Sequence, residues 1–151
     1  MKKLILGVVV AAGLALAQAP YVGAHAGLFG GSGVNLFNGG LHAGVALQGG
    51  LEVRGGVDIT SILGVLIPGV SADFLMNLSM PGSPVLPYGG LGGNIWLLPG
   101  GTDFGVHATL GVKYPISGTP VTAFLEAQPT YALGGGGAFV YYLKIGANYG
   151  F

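Results

Sequence analysis

The chain carries few groups able to do chemistry. His25, His42 and His107 are the natural candidates for a metal site or a proton relay. Glu52, Asp58, Asp73 and Glu126 could work as acid and base. Their spacing favours neither role. No two histidines stand at H-x-x-x-H, and the carboxylates are not adjacent in sequence. There is no serine–histidine–acid constellation, and cysteine is absent, so disulfides and thiolate metal sites are both out of reach. The glycine pairs, and the run from Gly134 to Gly137, never follow a strand and open a helix with G-x-G-x-x-G spacing, so they read as turns rather than phosphate cradles. Asn77-Leu78-Ser79 matches a glycosylation pattern but falls inside an apolar alternation, and is discounted. These readings point to a protein that is not an enzyme and that has no cofactor and no metal.

The placement of these residues says more than their chemistry. Wherever alternation is readable, the three histidines fall on the polar face of a period-two pattern. So do Glu52, Arg54, Asp58, Asp73, Lys113, Glu126 and Lys144. The last segment is the clearest. Phe139, Tyr141, Leu143, Ile145, Ala147, Tyr149 and Phe151 share one face, and Val140, Tyr142, Lys144, Gly146, Asn148 and Gly150 share the other. Eight such strands are predicted, over about residues 21–29, 41–54, 57–64, 72–80, 88–97, 104–114, 121–128 and 139–151. Loops are predicted at 30–40, at Arg54-Gly55-Gly56, at Ile67-Pro68-Gly69, at 81–87, at Pro99-Gly100-Gly101, at 115–120 and at 134–137. Gly89-Gly90 and Gly92-Gly93 blur the parity of the fifth strand, leaving Trp96 free to face either way.

Composition decides which face points where. Charged residues are 7% of the chain and hydrophobic residues 51%, with a formal net charge of zero. A soluble domain carries about 25% charge, and a neutral chain is a poor partner for nucleic acid. In a soluble barrel the polar face would be solvated and richly charged; here most strands offer one or two charges. The inverted arrangement fits better, with the apolar side toward lipid and the sparse polar side toward the lumen. Beyond residue 17 no run of about 18 apolar residues could form a membrane helix. Met1-Lys2-Lys3, the apolar stretch Leu4 to Leu16 and the small-x-small triplet Ala15-Leu16-Ala17 read as a secretory signal peptide over residues 1–17, leaving a barrel domain over 18–151. The expected fold is therefore all-β: an eight-stranded antiparallel up-and-down transmembrane barrel behind a cleavable leader.

Inside such a barrel, desolvated charges must be paired. Glu126 and Lys144 are each nine positions from Gly135 and are expected to face each other across the last hairpin. An eight-stranded barrel is only wide enough for its own side chains. Yet Gly44, Ala46, Gly50, Gly105, Gly111 and Gly146 on the lumen face leave room for a narrow wet path. Tyr21, Tyr88, Tyr114, Tyr141, Tyr149, Phe29, Phe104 and Phe151, near strand ends, are candidates for interfacial girdles.

With the leader, the eight alternating strands and the terminal Phe151, the chain resembles the small outer-membrane β-barrels of bacteria, the OmpA/OmpX type. The likeness is one of pattern and spans residues 18–151. It implies an outer-membrane location, a monomer, and outer-membrane lipids and the barrel-assembly machinery as partners. That machinery would read the closing strand, so Leu143, Ile145, Tyr149 and Phe151 take the role of a C-terminal assembly signal. The expected function is structural, a contribution to envelope integrity with a narrow channel left open. The alternative is a binding module that takes up a small apolar ligand or presents its surface loops to a partner. The short, glycine-rich loops depart from relatives with long ones and speak against adhesion.

Overall fold

The computed structural model describes residues 19–31, 34–62, 64–134 and 137–151, and these form a closed barrel of eight strands. In chain order they are β1 (Ala19–Gly31), β2 (Val34–Ala46), β3 (Leu51–Ile62), β4 (Val65–Asn77), β5 (Leu86–Leu98), β6 (Gly101–Pro115), β7 (Val121–Ala132) and β8 (Ala138–Gly150). Each strand pairs antiparallel with its sequence neighbour, and β1 closes on β8 from Tyr21↔Gly150 to Gly30↔Tyr141. Closure leaves no edge with unpaired backbone groups.

The barrel is inverted relative to a soluble one. Among the described residues, sixteen polar or charged residues are buried against seven hydrophobic ones, so the core of this molecule is polar. Along β3, Glu52, Arg54, Asp58 and Thr60 point inward and are buried, while Val53, Val57 and Ile59 point outward and are exposed. The outer wall continues through Leu41, Phe74, Leu91, Leu110, Leu125 and Ile145, all exposed. Alternation at period two is what lets one strand serve both environments.

The two rims differ. At the end carrying Ala19 and Gly150, strands are joined through residues 47–50, 78–85 and 116–120. At the far end, β1 and β2, β3 and β4, and β5 and β6 are each separated by only two residues, and 133–137 connect β7 to β8. Gly64 and Gly100 supply the positive φ that two of these tight connections need.

Several sequence expectations shift. The signal peptide at 1–17 lies outside the described residues, as do residues 135 and 136 of the last predicted turn. The strand predicted over 41–54 is two strands. β2 ends at Ala46, Gly49 and Gly50 turn the chain at positive φ, and β3 starts at Leu51. Odd-numbered residues face outward on both sides of that turn, so the alternation runs straight through it. Arg54-Gly55-Gly56 consequently lies mid-strand, with Gly55 beside Ala43 and Ala72. Residues 34–40 of the predicted first loop belong to β2, where Gly39 pairs with Ala26 and Ile59. Ile67-Pro68-Gly69 lies inside β4. β4 ends at Asn77, which places 78–80 in a connection. Asp103, which falls between the predicted turn at 99–101 and the strand predicted from 104, is a strand residue of β6.

Candidate functional site

β3 runs along the lumen wall from one rim to the other, and its inward residues change character on the way: Glu52, Arg54, Asp58, Thr60, then Ile62. That gradient organises the whole interior.

Nearest the rim with Ala19, Glu52 is the hub. It accepts hydrogen bonds from Tyr21 Oη on β1 at 2.5 Å and from Asn77 Nδ2 on β4 at 3.1 Å, and it pairs with Lys113 Nζ on β6. Lys113 also donates to Asn77 Oδ1 at 2.9 Å and lies over the Tyr88 ring. One step further in, Arg54 forks between two carboxylates. Its Nε donates to Asp73 Oδ2 at 2.9 Å, and its Nη1 donates to Glu126 Oε2 at 2.8 Å. Asp73 is its direct cross-strand neighbour, whereas Glu126 stands on β7, four strands away around the barrel. Tyr88 Oη donates to the same Glu126 oxygen at 2.7 Å. His107 Nε2 meets Asp73 Oδ1 at 2.6 Å, and its Nδ1 meets Asn94 Oδ1. Gln128 Nε2 donates to Thr109 Oγ1 at 3.2 Å.

The next group centres on Asp58. His25 Nε2 lies 2.9 Å from Asp58 Oδ1, Ser71 Oγ donates to Asp58 Oδ2 at 3.3 Å, and Lys144 Nζ stands 3.6 Å away. His42 stacks on His25 with centroids 5.8 Å apart and meets Asn148 Oδ1 at 2.7 Å. Charges held this deep persist only when paired and hydrogen-bonded, and Glu52, Arg54, Asp58, Asp73, Lys113, Glu126 and Lys144 each have at least one ion-pair partner.

The register places Glu126 directly beside Lys144, but their charged groups go elsewhere. Glu126 turns to Arg54 and Tyr88, and Lys144 turns to Asp58. Arg54 offers a forked donor that bridges two carboxylates at once, which an ammonium on one neighbour cannot match. Tyr21, Tyr88 and Phe29, candidates for the outer girdle, instead face the lumen. The first two hold carboxylates, and Phe29 packs on Tyr142 with centroids 4.9 Å apart. Tyr114, Tyr141, Tyr149, Phe104 and Phe151 lie on the outside. Sequence parity leaves Tyr88 and Trp96 unplaced because the glycine pairs of β5 hide its alternation. Their polar tips are the available clue, since a buried Tyr or Trp needs a hydrogen-bond partner.

Four of the small lumen positions are covered by aromatic rings. A Cβ at Gly44 would overlap the Tyr21 ring, at Gly111 the Tyr88 ring, at Gly105 the Trp96 ring, and at Gly146 the Phe124 ring. Each glycine is the bed for an aromatic side chain from a neighbouring strand. Gly50, also expected on the lumen face, lies in the turn before β3.

Beyond Thr60 the interior turns apolar. Trp96 Nε1 donates to Tyr142 Oη at 2.8 Å across the lumen. Above that pair a cup of about 210 Å³ is lined by Phe29, Ile62, Ile67, Leu98 and Val140, with Asp103 among them. The proposed assembly residues Leu143, Ile145, Tyr149 and Phe151 are all on the outer wall, exposed. Among the described residues no three acidic or histidine side chains are grouped so as to hold a metal ion.

No protein-family model matches the chain, and no curated protein matches it. Solved structures do. Neisserial surface protein A is 17% identical, with 88% of this chain and 96% of that one covered and a TM-score of 0.67. The N-terminal β-barrel domain of Pseudomonas aeruginosa OprF is 17% identical, covering 89% and 100% with a TM-score of 0.63. A major outer membrane protein from Thermus thermophilus is 18% identical, covering 89% and 100% with a TM-score of 0.58. At such identities the shared property is the fold, that of the small outer-membrane β-barrels.

Proposed function

We propose that this chain is an integral barrel of the bacterial outer membrane with a lumen closed to ions, and that it serves the envelope structurally rather than as a pore or an enzyme. The observation that carries this reading is the Arg54–Glu126 bridge, which ties opposite walls together at 2.8 Å. An ion passing that level would have to separate a buried pair whose partners are also held by Asp73 and Tyr88. The apolar outer wall supports lipid as the surrounding medium, because so much exposed Leu, Ile, Val and Phe would drive association in water. Leu143, Ile145, Tyr149 and Phe151 then form the outward face read by the assembly machinery, and the barrel acts as a monomer.

The test combines location with conductance. The protein should stay in the membrane after carbonate extraction, migrate differently on a gel before and after heating, and add no current steps to a planar bilayer. Recovery as a soluble periplasmic monomer would overturn the location. Regular conductance steps from the wild-type barrel would overturn the seal.

A further inference from the structure

The paired network of the lumen leaves out one charged side chain among the described residues, Asp103. This aspartate stands on β6 opposite Trp96 in the register, at the wall of the far cup. Its Oδ1 accepts hydrogen bonds from the backbone N–H of Phe104 at 2.7 Å and of Gly134 at 2.8 Å, which fixes the carboxylate in place. Among the described residues no Lys, Arg or His lies within ion-pair distance of it. It shares the lining of the cup with Trp96, Tyr142, Phe29, Ile62 and Leu98. We propose that the cup is a binding site for one small organic cation: an amine carried on a single ring or a short aliphatic body.

Size, shape and charge converge on that class. A volume of about 210 Å³ would hold roughly seven waters at about 30 Å³ each, but walls this apolar give them few partners, and such cavities favour apolar guests the size of benzene. A purely apolar guest leaves the fixed carboxylate without a counter-charge. A cationic one supplies it, and meets the aromatic rings of Trp96, Tyr142 and Phe29 on the same lining. An anion is repelled. The cup is open at this rim, where Leu98 and Ala138 of its lining are exposed. The site lies past the Trp96–Tyr142 bridge, away from Arg54, so it is independent of whether the lumen conducts.

Trp96 is the only tryptophan of the chain and lies on the cup, which makes its fluorescence a direct reporter. The folded barrel in lipid nanodiscs would be titrated with phenethylamine, 2-phenylethanol and phenylacetate, which share a ring and differ in charge. Phenethylamine should change the emission saturably. The alcohol should bind about tenfold more weakly, the scale of one charge-assisted hydrogen bond, and the carboxylate should have no saturable effect. Asp103→Asn should bring the amine to the level of the alcohol while leaving the alcohol unchanged. Ala132→Leu, which fills the cup, should abolish both responses. Equal affinity for amine and alcohol, an unaltered amine response in Asp103→Asn, or no saturable response from any probe would overturn the proposal. If the Ala132 variant fails to fold, the Asp103 variant still decides.

Discussion

The lumen has two halves built by one rule to opposite ends. Toward the rim with Ala19, Glu52, Arg54, Asp73, Lys113 and Glu126 interlock through hydrogen bonds that reach across the barrel. Toward the far rim, Phe29, Ile62, Trp96 and Leu98 line an apolar cup with the Asp103 carboxylate on its wall. Both sets occupy inward positions of the barrel's strands. Facing the lumen therefore does not make a position polar. The first half is specified by directional bonds between groups that cannot be left single in a low-dielectric interior. The second is held by aromatic packing and one cross-lumen hydrogen bond, and it keeps space unfilled.

If the charged half holds the walls together, breaking its central fork should be the costliest single change. Arg54→Met strands Glu126 and Asp73 and should destabilise the barrel by about 3–5 kcal/mol, read from urea unfolding in lipid vesicles. Adding Glu126→Gln should give a smaller total than the two single losses summed. A cost for Arg54→Met no larger than for a cup substitution would erase the distinction between the halves. On the cup side, Tyr142→Phe leaves Trp96 Nε1 without its acceptor and should cost about 1–3 kcal/mol, together with a change in tryptophan emission. An unchanged spectrum would mean that the bridge does not order the floor of the cup.

The third expectation concerns pairing within the charged half. Because Lys144 turns to Asp58 and Glu126 to Arg54, a double-mutant cycle of Glu126→Gln and Lys144→Met should show coupling below about 1 kcal/mol. Coupling as large as that between Arg54 and Glu126 would restore the direct pair that the register invites. The smallest effect on stability belongs outside the lumen. Phe151 is exposed, with its ring near Tyr149, so deleting it should shift stability by no more than about 0.5 kcal/mol. The amount inserted in cells should nevertheless fall and periplasmic degradation rise. Normal insertion would make the terminal aromatic incidental.

How much of this was legible depended on whether the signal was local. Alternation told inside from outside for Glu52, Asp58, Asp73, Lys113 and Lys144, since a residue's face follows from its strand neighbours alone. It failed at β5, where Gly89, Gly90, Gly92 and Gly93 give no contrast, and so Tyr88 and Trp96 were unreadable. It also failed between β2 and β3. There the turn at Gly49 and Gly50 preserves parity, and a sequence cannot show a turn that leaves the pattern unbroken.

The residue pattern already carries an all-β chain of eight alternating strands, the inversion of polar and apolar faces, and the neighbourhood of Glu126 and Lys144 across the final hairpin. Composition and period-two spacing are enough for these, because they depend on near neighbours and on the scarcity of charge. Only in the folded barrel does Arg54 reach β7, Glu52 gather Tyr21, Asn77 and Lys113, aromatic rings lie over lumen glycines, and the far mouth become an apolar cup. The physical reason is closure. Bending the sheet into a ring this narrow brings strands three and four apart within one side chain's reach, so partners are chosen by the length and geometry of groups that sequence order keeps apart.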